Sequence, residues 1–208
     1  MPSGYLNEQV EKFRNRSLAD TVYPVLWVDA LYEKVRVDGR IVSMAILIVC
    51  GVDENGHRDI ITVEPMAEES KSSYGVLFQN LKDHGLFTPK LIISDAHSGL
   101  VSAIRESFPS ASWQRCKVHF MRNILVYVPQ KEKKAFAETL KEIWLVPTAE
   151  FARKQAYDVI DSYAKRFPNE SSYVRLVTTY LMEYAEDWSV SRAYLSQKSI
   201  AATLLVAA

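Results

Sequence analysis

YPVLWVDALYEKVR, residues 23–36, decides the fold of this 208-residue chain. Val25, Leu26, Trp27 and Val28, with Tyr32 and Val35 further on, are the β-branched and aromatic types that fill a pleated strand. Asp38-Gly39 follows as a two-residue hairpin signal, and Arg40 to Gly51 is a second strand rich in Ile and Val. Asn55-Gly56 marks the next turn, and a third strand is predicted from about Arg58 to Val63. The result is a three-stranded antiparallel meander.

Beyond it the apolar period changes. Tyr74, Leu77, Phe78 and Leu81 recur at i, i+3, i+4 and i+7, the stripe of an amphipathic helix, and Gly85 is placed to end it. Lys90 to Ser94 is a short buried strand, His97 to Phe108 a second helix stopped by Pro109, and Ser112 to Cys116 a fifth strand. A short helix is predicted near the start, from Leu6 to Arg14. After Lys117 the pattern is helical: Lys117 to Val128, Lys131 to Leu145, a stripe from Ala152 to Tyr163, and another from Tyr173 to Trp188. The expected class is therefore α/β, a mixed five-stranded sheet in the order β-β-β-α-β-α-β followed by a helical C-terminal part. Hairpins supply antiparallel neighbours, whereas helix-linked strands must cross over and lie parallel.

Composition narrows the function. Apolar residues make up 48% of the chain, as in ordinary globular proteins. No apolar run reaches the ~20 residues that span a bilayer, and the polar opening MPSGYLNEQVEKFRNR has no signal-peptide core, so a cytoplasmic location is expected. Cys50 and Cys116 make no disulfide framework and are expected as thiols. Lys plus Arg number 25 and Asp plus Glu number 25, so net charge is zero. Any nucleic-acid binding must then rest on a local patch, because phosphate neutralisation needs clustered cations.

Two aspartates carry the chemistry. Asp29 interrupts an apolar strand, where a carboxylate is costly to bury unless it is paired or bound to a cation. The alternative is a strand-end residue facing water. Asp95 ends the fourth strand, at the strand end where ligands of α/β sheets gather. Its alternative is a helix N-cap. The first and fourth strands are expected to be neighbours, so both carboxylates can converge on one site, and oxygen ligands suit Mg²⁺ or Mn²⁺. Cys116 and His119 form C-x-x-H, half of a zinc-site spacing with no matching second pair. Arg115, Lys117 and Arg122 surround that motif and are candidates for phosphate contacts, against the alternative of a solvated basic face.

Three segments in order, YPVLWVDALYEKVR (23–36), LIISDAHSGLVSAI (91–104) and FPSASWQRCKVHFMRNIL (108–125), closely resemble the Mutator-type bacterial insertion-sequence transposases of the DDE superfamily. The resemblance covers about residues 5–195. It implies an RNase H-like core, whose strand and helix order is the one predicted above. Position by position it places Asp29 on the family's first catalytic aspartate and Asp95 on the second, with Cys116 and His119 on its C-x-x-H signature. It implies metal-dependent DNA cleavage and strand transfer with Mg²⁺ or Mn²⁺. The implied partners are the terminal repeats of the element and target DNA, bound by a homo-oligomer associated with the nucleoid, with no membrane role. On this basis residues 1–22 are expected to form a stub and linker, 23–128 a partial catalytic core, 129–195 C-terminal helices and 196–208 a disordered tail.

Two departures qualify the resemblance. Only a short stub stands where the family has an N-terminal region that binds terminal repeats. The family's third acid, a Glu in a TTN-x-IER-like stretch beyond a helical insertion, is not found. Instead DSYAKRFPNESSYVRLV (161–177) looks like two family segments joined, as an internal deletion near Lys165 to Pro168 would leave them. The alternative expectation is therefore an inactive relic that keeps the fold and binds or inhibits intact transposase.

Overall fold

The computed structural model describes residues 3–146 and 148–164. These divide into two compact units, the second beginning at Arg115. The expected helix over Tyr173 to Trp188, the tail, and the junction near Lys165 to Pro168 lie outside the described residues.

The first unit opens with α1 (Ser3–Arg14). Then come β1 (Val25–Val37), β2 (Arg40–Val52), β3 (Arg58–Met66), α2 (Lys71–Asp83), β4 (Leu91–Ser94), α3 (Ser98–Ser107) and β5 (Ser112–Arg115). The sheet order is β3-β2-β1-β4-β5. β1 pairs antiparallel with β2 and parallel with β4, and β2 pairs antiparallel with β3. This is the RNase H-like arrangement, with the strand and helix order expected from the sequence.

Alternation along the strands sends one set of side chains toward the helices. Leu26 and Val28 of β1, Leu47 and Val49 of β2, Ile61 of β3 and Ile92 of β4 pack with Tyr74, Phe78 and Leu81 of α2 and with Leu100 and Ile104 of α3. α2 starts on a capping box, in which Ser70 and Ser73 satisfy each other's backbone N–H groups. It ends on a Schellman motif: Gly85 N–H donates to the Lys82 carbonyl and Leu86 N–H to the Leu81 carbonyl. Gly85 has φ +95°, and a Cβ there would fall 2.9 Å from the backbone nitrogen of Ala19.

Gly51 is required for a different reason. It sits on β2 opposite Leu26, and a Cβ would lie 2.5 Å from Tyr23 Cδ1 and 2.7 Å from Ile61 Cδ1. The Tyr23 ring cannot swing away without losing the bond its hydroxyl donates to Asp59, 2.9 Å long. Gly51→Ala is therefore expected to cost about 1–3 kcal/mol, the usual range for overpacking, read as a lower urea midpoint with an unchanged slope.

The second unit contains α4 (Lys117–Leu125), α5 (Lys133–Ile143) and α6 (Ala149–Ala164). Phe120, Ile124, Phe136, Leu140, Ala152 and Val159 form its core, and the Phe120 and Trp144 rings meet edge-on at 6.0 Å. No helix among the described residues is long and apolar enough to cross a membrane.

Candidate metal centre

β1 and β4 run side by side in the same direction, and their last registered pair is Val28 with Ser94. Asp29 and Asp95 are the next residues of these two strands. Neighbouring strands lie roughly 4.8 Å apart, so the two backbones leave the pair about that far from each other. Each carboxylate is held locally in the same way. Asp29 Oδ1 accepts the Ala30 N–H at 2.9 Å, and Asp95 Oδ1 accepts the Ala96 N–H at 2.7 Å. Both residues are half-buried. Asp29 points away from the helix-covered face, since it alternates with Val28 and Ala30, which belong to the core. Trp27 and Cys50 share its face, and burial together with the charge of Asp29 pushes the Cys50 thiol up, while Arg58 acts against both.

The competing role for Asp95 is excluded by position. The N-cap of α3 is His97, two residues further on, and it makes no side-chain capping bond. Asp95 instead sits in the strand-to-helix connection and is tied down through its backbone. Trp113 Nε1 donates to Ser94 Oγ at 2.9 Å, and Ser94 Oγ donates to the Asp95 carbonyl at 2.8 Å. Ser94 is fully buried, so β5 reaches the candidate site through a dry hydrogen-bonded relay.

A second network joins β1 and α2 through Glu69. Tyr74 of α2 donates to Glu69 Oε1 at 2.6 Å, and Tyr32 of β1 donates to Glu69 Oε2. The Tyr74 ring meets His97 edge-on at 5.9 Å. Burial, the Glu69 bond and the nearby charges of Glu69 and Asp95 push the Tyr74 phenol far above its ordinary value near 10. Ser94, Trp113, Glu69 and Tyr74 were not expected as site residues. Tyr74 is hidden in the apolar stripe of α2, where only its hydroxyl distinguishes it from a core ring.

The sign of the Tyr74 shift gives a pH dependence. Its folded-state pKa is raised, so its contribution to stability is complete below about pH 10 and is lost as pH rises, because the unfolded chain ionises first. Tyr74→Phe is expected to flatten the loss of stability above about pH 10 in denaturation measured across alkaline pH. Tyr23 and Tyr32 are shifted in the same direction and will retain part of the slope.

The other expected residues fall in the second unit. Cys116 is the N-cap of α4, and His119 lies one turn along that helix. Lys117 and Arg122 are exposed. Arg115 is only 4% exposed and lies over the Phe120 ring at 5.6 Å, so its guanidinium is not presented to a phosphate in this structure. Among the described residues no group of three or more His, Cys, Asp or Glu side chains is set to share one ion. A cleft of about 710 Å³, lined by Glu11, Arg14, Glu64, Ser70 and Ser73 among others, contains neither aspartate.

Comparison with known proteins gives a consistent picture. Residues 3–169 match the family model described as "Transposase, Mutator family". The chain is 42% identical over 158 residues to the transposase of insertion sequence element IS256 in transposon Tn4001 of Staphylococcus aureus, covering 76% of this chain and 40% of that protein. It is 37% identical over 169 residues to the transposase of element ISRM5 of Rhizobium meliloti, covering 81% and 42%. With the transposase of element IS406 of Burkholderia multivorans it is 29% identical over 243 residues, covering 92% and 62%. That last alignment is longer than the 208 residues of this chain, so the relative carries sequence with no counterpart here. The chain spans about two fifths of the length of the first two relatives.

Proposed function

This chain belongs to the Mutator family of transposases, and on that premise we propose that Asp29 and Asp95 form the metal-binding centre of an insertion-sequence transposase acting on DNA phosphodiesters. The observation that supports this reading is the parallel β1–β4 pairing, whose last registered pair, Val28 with Ser94, directly precedes Asp29 and Asp95. Two hard carboxylate donors, one on β1 and one just past β4, fit Mg²⁺ or Mn²⁺, which take oxygen ligands and retain several waters. Such an ion supplies Lewis-acid stabilisation of charge on the phosphodiester oxygens.

The protein's own groups do the rest. Asp29 and Asp95 supply negative charge and fix where the cation sits. Ser94 and Trp113 hold the Asp95 backbone, and the Ala30 and Ala96 N–H groups orient the two carboxylates. Terminal-repeat and target DNA are the proposed substrates, with a homo-oligomer as the working form. Lys117 and Arg122, both exposed, are proposed phosphate contacts.

A second reading starts from the longer alignment with the IS406 transposase. The IS406 transposase carries sequence absent here, in line with loss of the segment that holds the family's third acid. On that reading the chain keeps the fold and binds intact transposase without cutting. Incubation of the chain with a labelled terminal-repeat duplex in Mg²⁺ or Mn²⁺ separates the two. Strand cleavage that disappears in Asp95→Asn supports the enzyme, whereas no cleavage with either ion refutes it for this chain.

A further inference from the structure

β1 and β2 are much longer than the sheet that holds them. β4 accompanies β1 only from Val25 to Val28, and β3 accompanies β2 only from Ala45 to Val52. From Glu33↔Met44 to Val37↔Arg40 the two strands pair with each other alone. They close on Asp38 and Gly39, both at positive φ (49° and 76°), the pattern of a type I′ turn whose twist matches the strands. The product is a two-stranded ribbon that continues β1 directly beyond Asp29.

The two faces of this ribbon differ. Residues directly opposite each other share a face. One face therefore carries Lys34 and Arg36 with Ser43 and Ile41, continuing from Tyr32. The other carries Glu33, Val35 and Val37 with Met44, Val42 and Arg40. The only acid on the ribbon strands, Glu33, is thus absent from the Lys34–Arg36 face. Lys34, Arg36 and Arg40 are all exposed, and among the described residues none of them makes an ion pair. In a chain of zero net charge, this is a local cationic face on an arm of defined shape.

We propose that the Glu33–Met44 ribbon is a DNA arm that lays its Lys34–Arg36 face, on the side of β1 opposite to Asp29, on the phosphates of duplex DNA. The proposal rests on the DNA reading above and adds a second surface that contacts duplex. A two-stranded ribbon has the cross-section a major groove admits, and lysine and arginine contacts to phosphate position a duplex without reading its sequence. At ~3.3 Å per residue, Lys34 and Arg36 lie about 16 and 23 Å along the strand from Asp29.

The test is fluorescence anisotropy of the full chain with a labelled duplex of about 30 base pairs, roughly 100 Å long, titrated across salt concentrations. Each phosphate contact contributes about 0.9 to the slope of log affinity against log salt. Lys34→Gln with Arg36→Gln is expected to lower that slope by about 1.8 and to weaken binding at least tenfold near 0.1 M salt. Arg36→Gln alone should lower it by about 0.9, which keeps the test valid if the double variant folds poorly. Mn²⁺ binding should be unchanged in both, so failure of the arm is distinguishable from failure of the metal centre. Equal slopes for wild type and variants would overturn the proposal, as would a wild-type chain with no salt-dependent duplex binding. A third contrary result is Val35→Thr with Val42→Thr dissociating a dimer in sedimentation and weakening duplex binding, while the cationic variants leave duplex binding intact. That would assign the ribbon to a second copy of the chain.

Discussion

Asp95→Asn, and separately Asp29→Asn, is expected to lower metal-dependent strand cleavage by roughly a thousandfold or more, since Lewis-acid stabilisation is worth several kcal/mol and each ~1.4 kcal/mol is a factor of ten. Asparagine keeps the size and one carbonyl oxygen but removes the negative charge that a hard cation requires. The Ala30 and Ala96 N–H groups can donate to an amide oxygen equally well, so both variants should stay folded. The loss should therefore appear in turnover, with the thermal midpoint nearly unchanged. Ser94→Ala offers a graded comparison: it removes the Trp113 relay to the Asp95 backbone without touching a carboxylate. Its effect should resemble that of other groups that orient ligands from behind, about 10–100-fold.

The largest expected effect on stability is at Phe78. Its ring is fully buried in the main core and meets the Phe108 ring edge-on at 5.4 Å. Phe78→Ala removes both the transfer energy and the aromatic contact, and leaves a cavity between α2 and the sheet. The expected cost is about 3–5 kcal/mol, a large share of the roughly 5–15 kcal/mol that holds a domain together. Guanidinium unfolding should show the loss as a shifted midpoint. Because Phe78 lies on α2, whose N-terminal end carries Tyr74, weakening its packing should also loosen the Tyr74–Glu69 bond beside the candidate site.

Why the fold could be predicted is clear from particular residues. Asp38-Gly39 and Asn55-Gly56 announce tight turns chemically, and the change from strand period to the Tyr74–Leu81 stripe marks where the meander ends. Helix-linked strands must cross over, so a parallel partner for β4 followed from chain order, and β1 proved to be that partner. Gly85 as a helix terminator followed from the αL preference of glycine, and the Schellman bonds agree.

The site was less accessible, for equally physical reasons. Asp29 inside β1 and Asp95 just after β4 can be recognised locally, because a carboxylate among apolar residues is unusual. Their supports are long-range and look ordinary in one dimension: Trp113 lies 19 residues from Ser94, and Tyr32 lies 37 from Glu69. The ribbon was hidden in the same way. The strands from Tyr23 to Arg36 and from Arg40 to Gly51 were both expected, but nothing local reveals that β3 and β4 stop short and leave the distal half to stand alone. Arg115 shows the converse. Its place in a basic segment suggested phosphate contact, whereas its side chain is buried over Phe120.

The central claim is that Asp29 and Asp95 together bind a divalent cation, and calorimetric titration of Mn²⁺ into the full chain tests it directly. Wild type should bind with measurable heat, and both Asp29→Asn and Asp95→Asn should lose that binding while melting at the wild-type temperature. Mn²⁺ binding that survives unchanged in the two variants would contradict the account.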